Sequence, residues 1–340
     1  RVLVLGACSP AAPAAEEPAA EESAAEEPAA EEPVAEEPAA EDMTFKLGLL
    51  GPYSGPSAQT GAQFKGGATI ALEEYDYKIG PYTIEPVWVD SQSDPAKASQ
   101  AYEQAVVQDG IQAGALNWHS SVAVAVMEVT AKHQIPHIFG FGATEKVNET
   151  FASDTEKYGY WSLKGWPTPA KLGTKYVDAL EYYIEQGVYT PEAKTVAIYG
   201  EDTDWGRSFG AGVIELFEAA GWEVVSEEYF PLEQTEFYSF LNTLKDLNPA
   251  VIAGTSTAPP SITALIKQAD EVGLESLIIA DGLGWVDFCS LTGDSATNVI
   301  DQIAGWSGDA GFAFAEEFEA RYDLAPSTSS AGLAHDGTKM

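Results

Sequence analysis

The sequence predicts an α/β protein of two doubly wound parallel-sheet lobes facing a ligand cleft, preceded by a disordered acidic tether. Three observations carry this expectation. Strand-like and helix-like segments alternate in two series of similar size. The first 42 residues are compositionally separate, holding twelve of the 53 acidic side chains and one of the 17 basic ones. The 340 residues, 45% of them hydrophobic, suffice for two domains with substantial cores.

The N-terminal segment Val2-Leu3-Val4-Leu5-Gly6-Ala7-Cys8 reads as the end of an apolar signal closing on small residues and a cysteine. Leu5-Gly6-Ala7-Cys8 resembles the bacterial lipobox, which implies that residues 1–8 are a truncated lipoprotein signal with Cys8 as the lipidated residue. From Ala14 through Glu41 the chain repeats Ala-Ala-Glu-Glu-Pro with a period of five. Recurrent proline breaks any helix, and paired glutamates repel each other with nothing to bury. Residues 9–42 are therefore expected to be an extended tether, reaching on the order of 100 Å at about 3.1 Å per residue. The opening at Arg1 and the unfinished helical pattern before Met340 suggest truncation at both ends.

The first series begins with a strand at 45–51 that runs into the turn Gly51-Pro52-Tyr53-Ser54-Gly55-Pro56. A helix over 63–77 and a strand over 84–89 follow. Asp94-Pro95 then starts a helix to about Gln108, with an acid cap and a proline in its first turn. Strand 113–116, helix 121–133 and strand 137–141 complete the series. Residues 142–169 read as irregular. The second series has helices at 171–186, 206–220, 237–247 and 262–272. Its strands fall at 195–199, 223–229, 250–255 and 277–280. Such alternation gives parallel sheets covered on both faces, with ligands beyond the carboxyl ends of the strands. The expected lobes are 43–165 with about 305–340, and 166–304.

Composition excludes several classes. A net charge of −36 repels phosphate backbones, against nucleic-acid binding. No apolar run approaches a membrane span of about 20 residues. Two cysteines, Cys8 and Cys289, exclude a disulfide scaffold and a Cys-based zinc cluster. His133 and His137 have metal-ligand spacing, but Pro136 divides them between a helix and a strand, so both read as structural. Gly140-x-Gly142 lacks the third glycine of a dinucleotide fingerprint. No Gly-x-Ser-x-Gly, Walker A or His-Glu-x-x-His pattern occurs, and no catalytic constellation or cofactor is expected.

The candidate binding residues lie in post-strand loops. Asn117-Trp118-His119-Ser120-Ser121 offers two hydroxyls and helix N-terminal amides to an anionic group, or a cap for its own helix. Gly142-Ala143-Thr144 opens on the same side. In the second series Trp205 precedes a helix, and Asp281 and Trp285 follow a strand. Trp118, Trp161 and Trp166 also fall near loops, where rings cover apolar ligands or fill cores.

The body from about residue 44 resembles the type I periplasmic solute-binding proteins, in the leucine/isoleucine/valine-binding branch that serves ABC importers. The resemblance rests on Leu49-Leu50-Gly51-Pro52-Tyr53-Ser54-Gly55-Pro56, Asp94-Pro95-Ala96-Lys97-Ala98, Ser120-Ser121-Val122-Ala123, Ile135-Pro136 and Gly142-Ala143-Thr144. Val196-Ala197-Ile198-Tyr199-Gly200, Trp205-Gly206, Gly273-Leu274 and Gly293-Asp294 continue it in order. It implies a non-enzymatic binding protein, monomeric and extracytoplasmic, tied to the membrane only by lipidated Cys8. Such a protein closes two lobes on a small polar solute, a branched-chain or other amino acid, and delivers it to an ABC permease. A ligand-sensing receptor module is the alternative, as is an amide, urea-like or aromatic acid ligand. The resemblance implies that Ser120, Ser121, Ala143 and Thr144 hold a carboxylate, that Trp205 stands where tyrosine is usual, and that Asp281 receives an amino group. Asn117 and Trp118 join the candidate set from their loop. The chain departs from the family pattern at Thr60 and Pro169, and has Ser93 and His119 where disulfide partners are expected.

Overall fold

The structure, a computed structural model, describes residues 43–340 except 282, 284–287, 302 and 304. Cys8, the tether, Gly282, Gly284 and Trp285 lie outside the described residues.

Six strands build the first sheet: β1 Met43–Gly51, β2 Lys78–Ile79, β3 Tyr82–Asp90, β4 Ala113–Ala115, β5 His137–Phe139 and β6 Ser162–Lys164. Their order is β2-β3-β1-β4-β5-β6, parallel except for β2, which pairs antiparallel with β3. Five strands build the second: β7 Thr195–Glu201, β8 Glu223–Phe230, β9 Val251–Thr255, β10 Leu277–Ala280 and β11 Val299–Asp301. Their order is β11-β10-β9-β7-β8, parallel throughout. The fold is two parallel-sheet lobes. In each, the strand order reverses beside the first strand, between β1 and β4 and between β7 and β9. Loops at such a reversal diverge and leave a crevice for ligands.

Both sheets are buried on both faces, as parallel sheets with helical crossovers require. In β7, Val196 and Ile198 pack with Tyr176, Phe209 and Val213, while Ala197 and Tyr199 pack with Leu241, Ile252 and Ile262 on the other face. In β1, Leu49 joins Phe64 and Ala334 while Leu50 joins Tyr102 and Val126. Each fully buried Val, Leu, Ile or Phe among them contributes roughly 1.5–3 kcal/mol.

Most helices fall within a few residues of the expected spans, but the first runs Ala58–Glu73 rather than 63–77, starting five residues earlier and ending before Tyr75. Asp94 caps helix Pro95–Gln104 by accepting from Lys97 N, and a π-helical turn at Ala105–Asp109 extends it to Gly110, which has φ 73°. Two further parts of the sequence reading need correction. The stretch read as irregular holds helix Glu145–Ser153, a helical turn Thr155–Tyr158 and β6. Strands of three residues such as β6 are too short to show a period. Beyond β10 the structure adds β11 and helix Gly308–Tyr322, while helix Leu333–Lys339 falls on the helical pattern expected before Met340.

The C-terminal segment packs on helix Ala58–Glu73 of the first lobe. Buried Gln63 accepts from Ser327 N at 2.8 Å and donates to the Ala325 carbonyl at 3.2 Å. A Cβ on Gly67 would stand 2.2 Å from the Ala331 carbonyl oxygen, so the close approach requires glycine there.

Candidate functional site

The post-strand loops at the two reversals meet at a cavity of about 40 Å³. The first lobe lines it with Trp118, His119, Ser120, Phe141 and Ala143; Trp205, Thr257 and Asp281 line it from the second. Trp166, Leu172, Ile303 and Ser329 complete the wall. This volume holds a few water molecules, whereas ligand pockets run to roughly 300–1,000 Å³. The cavity as it stands is too small for a ligand of that size.

The loop after β4 is held under strain. Leu116, fully buried, has φ 69°, a left-handed conformation that costs a non-glycine residue about 1–3 kcal/mol. His137 on β5 pins it: Nε2 donates to the Leu116 carbonyl at 2.7 Å, and Nδ1 accepts from the Tyr102 hydroxyl at 2.9 Å. Burial pulls the His137 pKa down to about 4, so the ring is neutral. His137 thus holds the Leu116 turn in place, in line with its structural reading.

Helix Ser120–His133 begins one residue earlier than expected, with His119 at its N-cap and no side-chain cap bond. Ser120 and Ser121 are therefore first-turn residues. The Ser120 hydroxyl accepts from Thr144 N at 3.3 Å, which leaves its proton free of that bond and couples the two first-lobe loops. Gly142, with φ 88°, makes the turn into Ala143 and Thr144. Thr144 caps the next helix by accepting from Lys146 N at 3.3 Å. Behind this loop Lys164 donates to the carbonyls of Ala143 at 2.9 Å and Thr144 at 3.3 Å. Burial lowers the Lys164 pKa to about 8, against the opposing pull of Glu145.

Trp118, Ser120, Ala143, Trp205 and Asp281 thus come together on one cavity. Ser121 and Thr144 instead line an open groove outside it, beside Glu145, Lys146, Asp204 and Arg207. Asn117 is buried behind its loop, its amide donating to the His119 carbonyl at 3.0 Å. The rings form a continuous wall: Phe141 lies 4.7 Å from Trp118 and 4.6 Å from Trp166, centroid to centroid. In the second lobe Trp205 Nε1 donates to Thr255 Oγ1 at 2.9 Å, and that hydroxyl donates to Asp281 Oδ2 at 3.3 Å.

Sequence reasoning missed Thr257 and Glu201, the pair that joins the lobes. Glu201 ends β7 in a buried position and accepts from Thr257 N at 2.7 Å, Thr257 Oγ1 at 2.7 Å and Thr203 Oγ1 at 2.8 Å. Burial raises the Glu201 pKa, and these donors pull it back. Thr257, held in this way, reaches the first lobe. Its carbonyl accepts from Ser57 Oγ at 3.0 Å and Trp118 Nε1 at 3.4 Å, and its hydroxyl lies 3.4 Å from His119 Nδ1. An exposed Lys146–Asp204 ion pair at 3.2 Å and a Glu145 N–Ser208 Oγ bond at 3.4 Å add to these lobe-to-lobe links. The signal was present in Thr255-Ser256-Thr257-Ala258-Pro259, a post-strand loop opening a helix through proline, as at Asp94-Pro95. No group of residues suited to a metal ion occurs among the described residues.

Comparison with known proteins follows the same lines. The chain is 27% identical over 232 residues to the Leu/Ile/Val-binding protein homolog 6 of Brucella suis, covering 68% of this chain and 55% of that protein. It therefore spans little more than half the length of that curated relative. The branched-chain amino acid substrate-binding protein LivJ of Streptococcus pneumoniae, solved with isoleucine, superposes with a TM-score of 0.70 at 22% identity, over 87% of this chain and 82% of that one. A Rhodopseudomonas palustris solute-binding protein of an ABC transporter, solved with 4-hydroxybenzoate, gives 0.69 at 23% identity, over 87% and 78%. The family model for periplasmic binding proteins matches residues 44–340, and the chain belongs to that family.

Proposed function

We propose that the protein is the extracytoplasmic substrate-binding component of an ABC importer, closing two lobes on a small polar solute and presenting it to a membrane permease. The cavity carries this reading, because it draws on both lobes at their strand-order reversals and is too small to admit a solute without opening. A ligand that touches both lobes favours the closed state by its contacts with each. Ser120 and the first-turn amides suit a carboxylate or carbonyl, while Asp281 suits an ammonium or N–H group. That polarity fits a branched-chain or other amino acid. The wall of Trp118, Phe141, Trp166 and Trp205 favours a second reading, an aromatic acid or amide.

A thermal-shift panel of amino acids, amides and aromatic acids on residues 43–340 tests the function, since a ligand of the folded state raises Tm. A graded shift confined to one class supports it; no shift from any member opposes it. Anchoring through Cys8 belongs to the same proposal and rests on the lipobox-like Leu5-Gly6-Ala7-Cys8. Behind a complete signal, Cys8→Ser releases the protein from membranes; retention at the wild-type level contradicts an anchor at this residue.

A further inference from the structure

His119 stands at the N-cap beside Ser120 and borders both the cavity and the groove outside it. It is 4% exposed. Its proton inventory follows from its neighbours. The Glu201 carboxylate only accepts, and the single Thr257 hydroxyl proton points to it at 2.7 Å. Thr257 therefore turns a lone pair toward His119, 3.4 Å away, and Nδ1 must be the protonated nitrogen. Burial holds the ring neutral, its pKa pulled down to about 3. A neutral imidazole has one N–H, so Nε2 is a bare acceptor. It is buried and has no hydrogen-bond partner among the described residues.

We propose that His119 determines specificity: its Nε2 accepts a hydrogen bond from the solute, selecting ligands with an N–H or O–H donor beside the group that Ser120 holds. This rests on the solute-binding reading above and narrows its ligand class. Ser120 presents a donor and its neighbour His119 an acceptor, so the complementary ligand carries an acceptor and a donor side by side. A primary amide, an α-amino acid and an α-hydroxy acid have that pairing. A plain carboxylate offers only lone pairs and leaves the buried Nε2 unmatched, which sites of this kind discriminate against strongly. Glu201 and Thr257 act as positioning residues by fixing the tautomer.

Two measurements on the purified protein test this. Long-range proton–nitrogen NMR on histidine-labelled, ligand-free protein reads the tautomer directly. Nδ1 protonated and Nε2 bare is the expected result, with Thr257→Val releasing the ring toward the Nε2–H form. A wild-type Nε2–H tautomer overturns the proposal. Calorimetry then uses two matched pairs, L-leucine with 4-methylpentanoate and benzamide with benzoate. In a pair that binds, the donor-bearing member should be favoured by about tenfold or more. His119→Met should erase the preference in the benzamide pair and reduce it in the leucine pair, where Asp281 still receives the ammonium, and His119→Gln, whose side-chain oxygen accepts, should retain part of it. Equal affinities within a pair, unchanged in His119→Met, also overturn the proposal. If neither pair binds, that counts against the solute reading, and the tautomer measurement alone decides the role of His119.

Discussion

In the first lobe the cavity meets the start of a helix: Ser120, first-turn amides and a loop braced from behind by Lys164. In the second it meets side chains at strand ends: Asp281 after β10, and Thr257 after β9 held by the buried Glu201. The two lobes use the same topological position but differ in chemistry. One presents the Ser120 hydroxyl and the positive end of a helix dipole, the other the Asp281 carboxylate beside Thr257 and Trp205. Under the proposed function, a solute with both polarities would satisfy the two faces only when they are together, linking binding to closure.

The largest effects should come from removing one face. Ser120→Ala deletes a donor to a charged or strongly polar group, and hydrogen bonds of that kind contribute roughly 1.5–3 kcal/mol. Calorimetry should show affinity about ten- to a hundredfold weaker, while Ser121→Ala, in the outer groove, changes it little. Equal losses would move the binding face out of the cavity. Asp281→Asn should be as harmful for an amino acid as Ser120→Ala is, and mild for a neutral amide or aromatic acid. A mild effect on a confirmed amino acid ligand would detach Asp281 from the ammonium role.

Much of this contrast was legible in the sequence. Trp118, Ser120, Ala143, Trp205 and Asp281 sit in the loop after a strand or the first turn of the helix that follows it, and parallel sheets put these on one side. Ser121 and Asn117 lie in the same loop yet not on the cavity. Sequence gives the loop but not the rotation of each side chain, which depends on His119 being the N-cap and on the left-handed Leu116. Thr257 carries a signal, its proline-opened loop after a strand, but Glu201 is one of 53 acids without a distinguishing pattern, and only its distance to Thr257 marks the pair.

The histidines supply a mid-sized test. His119 and His137 both serve the first lobe, with burial holding their pKa values near about 3 and about 4. Unfolding lets each take up a proton below about pH 6.5 that the folded ring refuses. The unfolded state therefore binds more protons, and stability is lost as pH falls from about 6.5 toward these values. Each histidine contributes a slope of up to about 1.4 kcal/mol per pH unit in that window. Urea unfolding at pH 7 and pH 5 should show a smaller loss for His119→Gln than for the wild type. An unchanged loss would mean that His119 is protonated in the folded protein.

The smallest effect is expected at the rim. Lys146–Asp204 is an exposed pair linking the lobes, and such pairs contribute about 0–1 kcal/mol. Lys146→Ala should weaken binding less than about fivefold, and less still at high salt. A loss comparable to that of Ser120→Ala would show that the outer groove is the binding site.

Closure itself is the most direct test. One label on helix Glu145–Ser153 and one on helix Tyr238–Leu247, with Cys8 and Cys289 replaced, report the separation of the lobes by pulsed spin-label spectroscopy. A solute that raises Tm should shorten and narrow the distance distribution, and Ser120→Ala or Asp281→Asn should demand more of it for the same change. A distribution that stays the same at saturating solute would contradict a site built from two lobes of opposite polarity.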